Sequence, residues 1–110
     1  MAEPPAPCLR ILVAEDNPVG QKVAMALLAR RGHQATIVAD GDAAFAAWLG
    51  GGFHLLLLDV QMPVRDGLDT ARTIRAAERD LRRPHTPIVA LTAGTRDGDL
   101  AACLAAGMDG

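Results

Sequence analysis

The chain has 110 residues, half of them hydrophobic, which is enough for one domain and excludes disorder throughout. Eleven basic and thirteen acidic residues leave a formal charge of -2, so composition gives no sign of a nucleic-acid or membrane surface. Residues 1–8 are Ala/Pro-rich, lack a basic start and an apolar stretch, and read as a disordered tail or linker end rather than a signal peptide. A first strand is expected at about Leu9 to Ala14. Asn17-Pro18 then opens a helix, with Asn as N-cap and Pro at the first helical position. Val23, Ala26, Leu27 and Arg30 follow at helical spacing, and Gly32 suits the stop. A short strand is expected at about Gln34 to Ala39. Asp40 caps a helix of about Asp42 to Leu49, with Phe45, Trp48 and Leu49 as its buried face. The central strand is about His54 to Leu58. Pro63 and Gly67 break both periodicities, so the stretch after Asp59 is a loop. A third helix runs from about Leu68 to Arg79. A fourth strand spans about Pro87 to Leu91, and Asp97 to Ala106 carries a fourth helix with Leu100, Cys103 and Leu104 inward.

Strand and helix alternate four times, which calls for a doubly wound parallel α/β sheet with right-handed crossovers and helices on both faces. Three of its strands end alike. Ile11 to Ala14 runs into Glu15-Asp16, Leu55 to Leu58 into Asp59, and Pro87 to Leu91 into Thr92. In an open parallel sheet, ligands bind just beyond the carboxyl ends of the strands. Three carboxylates and a hydroxyl should therefore converge at one edge, in outline a cation and phosphoryl site.

The remaining reactive residue types carry little signal. Cys8 and Cys103 have no metal or redox spacing and read as reduced thiols of a cytoplasmic protein. His33, His54 and His85 sit at strand entries or loops without a ligand partner at metal spacing, and read as structural or solvated. Ten arginines, one lysine (Lys22) and 21 alanines point to a GC-rich bacterial genome. The longest apolar run is far below the ~20 residues of a membrane helix.

Four segments carry a family resemblance: Leu12-Val13-Ala14-Glu15-Asp16-Asn17; Leu58-Asp59-Val60-Gln61-Met62-Pro63 with Asp66-Gly67; Ala90-Leu91-Thr92-Ala93; and Ala106-Gly107-Met108-Asp109-Gly110. In this order and spacing the chain resembles the receiver domain of two-component response regulators, over about residues 9–110. Its wording is most similar to receivers of hybrid sensor histidine kinases. The resemblance implies a flavodoxin-like sheet of order 2-1-3-4, with a fifth strand and helix still to follow. It implies Asp59 as phosphoacceptor from a phosphohistidine. It places Mg²⁺ on Glu15, Asp16, Asp59 and the carbonyl of Gln61. It makes Thr92, with the N–H of Ala93, the partner of the phosphoryl oxygen. Partners would be a histidine kinase or a histidine phosphotransfer protein. The family's lysine and switch aromatic fall past Gly110, so the domain reads as C-terminally incomplete.

Each residue also has a plainer role. Asp59 could cap a turn, Asp16 could cap the first helix, and Thr92 could be a loop hydroxyl. Two rival functions differ in kind. An aspartate-nucleophile phosphatase needs an acid/base two residues after the nucleophile, where Gln61 cannot transfer protons. A pseudo-receiver that only binds partners would be expected to have lost Asp59, Asp16 or Thr92, and all are present. An uncovered fourth-strand edge further suggests oligomerisation through that edge.

Overall fold

The computed structural model describes residues 9–59, 67–91 and 104–109. Seven elements follow in order: β1 (Arg10–Ala14), α1 (Pro18–Arg30), β2 (Gln34–Val38), α2 (Gly41–Gly50), β3 (Leu55–Asp59), α3 (Gly67–Leu81) and β4 (Ile88–Leu91). The strands form one parallel sheet of order β2-β1-β3-β4. The first seven expected elements are present, with ends displaced by one or two residues; most of the expected fourth helix, Asp97 to Ala106, lies outside the described residues.

Local chemistry accounts for the helix starts. Asn17 takes an extended conformation and accepts the Val19 N–H on Oδ1 at 2.8 Å, with Pro18 next in line. Asp40 does the same for α2, accepting the Ala43 N–H at 2.8 Å. The C-terminus of α2 is closed from outside. Arg83 donates to the carbonyls of Trp48 and Leu49, and its guanidinium lies 4.8 Å over the Trp48 ring.

The parallel register sorts the strand residues onto two faces, because paired positions point the same way. Leu12, Ala14, Leu56, Leu58 and Ile88 share one face. They form a buried cluster with Ala44 and Trp48 of α2 and Ala71 and Ile74 of α3. Ala106 and Met108 join this cluster. Ile11 and Val13 point the other way and are buried on the side that α1 covers. On that side Leu55, Leu57, Val89 and Leu91 are only half-buried.

The helix faces depart in part from the apolar pattern of the sequence. In α1 no residue is fully buried, and Val23 and Leu27 are 53% and 49% exposed. The half-buried side is Gly20, Gln21, Ala24 and Leu28, while Val23 and Leu27 turn outward. In α2 the buried stripe is Gly41, Ala44 and Trp48, and Leu49 is exposed beside it. Leu104 is also exposed, whereas Ala106 is buried; Leu100 and Cys103 lie outside the described residues. The tail at 1–8 lies outside them as well.

All three histidines have structural partners. His33 Nδ1 accepts the Leu9 N–H at 3.1 Å, and His54 Nδ1 accepts the Arg10 N–H at 2.9 Å. His85 pairs with Asp109 at 2.8 Å.

Candidate metal and phosphoryl site

Two strand ends build the acidic site. The β1 backbone continues through Glu15, whose N–H donates to the Val38 carbonyl of β2 at 3.0 Å. The chain then turns at Asp16 and enters α1. Asp59 is the last residue of β3 and lies in register with Leu91. Because β1 and β3 are neighbours and parallel, their carboxyl ends meet at the same edge. Glu15, Asp16 and Asp59 each bring a carboxylate oxygen into a group whose members all lie within 4.8 Å of one another. Asp16 is exposed, and the other two are half-buried.

The electrostatics of this group match a cation site. Burial pushes the Glu15 carboxyl above its ordinary value of 4.5. The Asn17 N–H opposes this, while the charge of Asp59 and hydrogen bonding with Asp59 and Asp16 push it further up. Like charges so close resist ionising together, and a divalent cation removes that resistance. Mg²⁺ takes oxygen ligands from one or two carboxylates and keeps several waters. An open edge with one exposed and two half-buried carboxylates fits that demand.

The first turn of α1 shapes the site in a way the sequence did not signal. The Asn17 N–H donates to Glu15 Oε1 at 2.9 Å, and Gln21 Nε2 donates to the Glu15 carbonyl at 2.6 Å. The Glu15 side chain folds against Gly20. A Cβ at position 20 would lie 2.9 Å from its Cγ and Cδ and 3.1 Å from Oε2. Gln61, Thr92 and Ala93 lie outside the described residues, so the expected carbonyl ligand and phosphoryl partners have no geometry here.

A second polar group sits at the opposite end of β4. Arg75 donates from Nε to the Gly107 carbonyl at 2.8 Å, and from Nη1 to Glu78 and to the Thr86 carbonyl at 2.8 Å each. Its Nη2 donates to Asp109 at 2.9 Å. Asp109 also accepts the Ile88 N–H at 2.8 Å, and its own N–H donates to the Ile88 carbonyl at 2.7 Å. The residues from Gly107 to Asp109 are thus tied to α3 and to the start of β4. Gly107 takes φ +103, and a Cβ there would lie 2.7 Å from Arg75 Cγ. Burial pushes the Asp109 carboxyl up, but the Ile88 N–H, His85 and Arg75 outweigh it and hold it below its ordinary value of 3.8.

Comparison with known proteins agrees with this geometry. The family model of the response regulator receiver domain matches residues 11–110. Sensor protein GacS of Pseudomonas syringae is 38% identical over 100 residues, covering 91% of this chain and 11% of that protein. Response regulator sskA of Aspergillus fumigatus is 39% identical over 79 residues, 72% of this chain and 9% of its own length. This chain therefore spans about a tenth of such relatives. Among solved structures, the receiver domain of sensor histidine kinase PA1611 from Pseudomonas aeruginosa has a magnesium ion coordinated in its active-site cleft. It superposes with TM-score 0.81 at 42% identity, covering 94% of this chain and 82% of that one. A structure of the Saccharomyces cerevisiae phosphotransfer protein Ypd1 with the receiver domain of Ssk1 matches with TM-score 0.85 at 29% identity, covering 94% of this chain and 76% of that one.

Proposed function

The chain belongs to the response regulator receiver domain family, a module of two-component phosphorelays, and from that premise we propose that Asp59 receives a phosphoryl group from a phosphohistidine. An Asp59 carboxylate oxygen attacks phosphorus, the bond to the histidine nitrogen breaks, and an acyl phosphate results. Glu15, Asp16 and Asp59 would hold Mg²⁺, together with the Gln61 carbonyl. When bound, that ion neutralises the site and stabilises charge on the transferring group. Thr92 donates its hydroxyl to a phosphoryl oxygen, beside the N–H of Ala93. The observation that carries this reading is the meeting of the three carboxylates, from two neighbouring strands, within 4.8 Å.

The donor is a histidine kinase or a histidine phosphotransfer protein. The Ssk1 receiver, solved with Ypd1, supports the second kind of partner. We read the protein as cytoplasmic and bacterial. No helix among the described residues is long and apolar enough to cross a membrane.

The experiment is labelling of the full-length protein by a small acyl-phosphate donor in Mg²⁺. Labelling should disappear on chelation and in Asp59→Asn. If that variant labels at the parent's rate, Asp59 is not the acceptor.

A further inference from the structure

The first turn of α1 does more than start a helix, because it also confines a metal ligand. Glu15 could swing freely at the end of β1, since a glutamate has three side-chain torsions. Instead its carbonyl is held by Gln21 Nε2 at 2.6 Å, its Oε1 by the Asn17 N–H at 2.9 Å, and its Cγ and Cδ lie 2.9 Å from where a Cβ of residue 20 would stand. Position 20 is the third residue of a 13-residue helix, where alanine is the better helix former. A glycine there loses backbone order and contributes no side-chain packing. Its one evident effect on the neighbourhood is the space it leaves for Glu15.

We infer that Gly20 and Gln21 are positioning residues for the metal ligand Glu15. Gly20 is the slot that receives its side chain, and Gln21 clamps its carbonyl. The inference rests on the metal-site reading above. A Cβ at position 20 meets the far end of a flexible side chain rather than backbone, so the helix can keep its shape. The displacement then falls on the Glu15 side chain, which must shift from its present place beside Asp16 and Asp59. Substitutions that disturb the groups supporting a ligand typically weaken metal binding by roughly 10-fold or more.

The test is calorimetric titration of the full-length protein with Mg²⁺, paired with thermal unfolding in chelator. Gly20→Ala should bind Mg²⁺ roughly 10-fold more weakly, with an unfolding midpoint equal to or above the parent's. Gln21→Met, which keeps the length but loses the donor, should also bind more weakly. In a Glu15→Asp background the shorter side chain withdraws from position 20, so Gly20→Ala should then change little. That non-additivity is the signature of direct coupling. Parent-like affinity in Gly20→Ala overturns the inference, as does an equal loss in the Glu15→Asp background. So does a fall in midpoint that accompanies the loss of affinity. Asp16→Asn separates the two levels of the argument. If the parent binds Mg²⁺ and Asp16→Asn does not, the metal site stands and only the positioning claim is at stake. If neither Asp16→Asn nor the parent shows Mg²⁺-specific binding, both fall.

Discussion

Arg75 engages every nitrogen of its guanidinium, on acceptors from α3, the entry to β4 and the Gly107–Asp109 turn. It and Glu78 are 11% and 7% exposed at the side chain. Removing Arg75 leaves the Glu78 carboxylate with the Thr86 N–H at 2.7 Å but without its ion-pair partner. Arg75→Met should therefore cost roughly 3–5 kcal/mol in denaturant unfolding. A loss below 1 kcal/mol would show that water and the Thr86 N–H suffice for Glu78. Asp109 gives the pH counterpart. Its carboxyl is held below 3.8 in the folded chain, so its contribution is present above that value and disappears as pH falls through the lowered one. Asp109→Asn should flatten the acid limb of the stability curve; an unchanged limb would assign acid unfolding to other carboxylates. Nothing in the spacing of Arg75 and Asp109, 34 residues apart, announces this pair. Asp109 was legible only as part of a motif. Glu15, Asp16 and Asp59 were legible together, because each ends a hydrophobic run and a parallel sheet brings such ends to one edge.

The elements themselves were readable where caps and apolar runs agree, as at Asn17-Pro18, Asp40 and Leu55 to Leu58. Helix faces were less readable. An apolar residue at helical spacing marks a stripe, but which stripe meets the sheet depends on how closely the backbones approach. In α1 the half-buried side is Gly20, Gln21, Ala24 and Leu28, and hydrophobicity ranks Val23 and Leu27 above the first three of these. Strand β4 has its own consequence. It is the outer strand of the sheet, and among the described residues its outer side receives one backbone bond, from Asp109 to the Ile88 carbonyl. Val89 and Leu91 are half-buried on the α1 side. An edge of that kind pairs readily with another chain. The 110-residue chain should self-associate in sedimentation at high concentration, and Val89→Lys should reduce this. A monomeric parent across the same range would mean the edge is protected.

At the scale of the molecule, the two faces of the sheet are unequally filled among the described residues. One carries the continuous cluster from Leu12 to Met108, and the other depends on a helix without a fully buried residue. Local opening follows such differences, and segments with few buried contacts open at the lowest free energy. Helix α1 should therefore exchange its amide hydrogens before α3. Yet its first turn grips Glu15 through Asn17 and Gln21, so opening that turn dismantles the acidic site. A ligand that needs the closed form suppresses the open one. At a hundredfold excess over Kd the linkage is about 2.7 kcal/mol. Mg²⁺ should slow exchange at the start of α1 by up to about 100-fold. Exchange in α2, whose opening leaves Glu15 in place, should change far less. Equal slowing in both helices would point to global stabilisation, and no slowing in α1 would uncouple the helix from the site. The least anchored of the described helices would then be fastened by the ion itself, and the occupancy of the site could be read as the fraying of a helix.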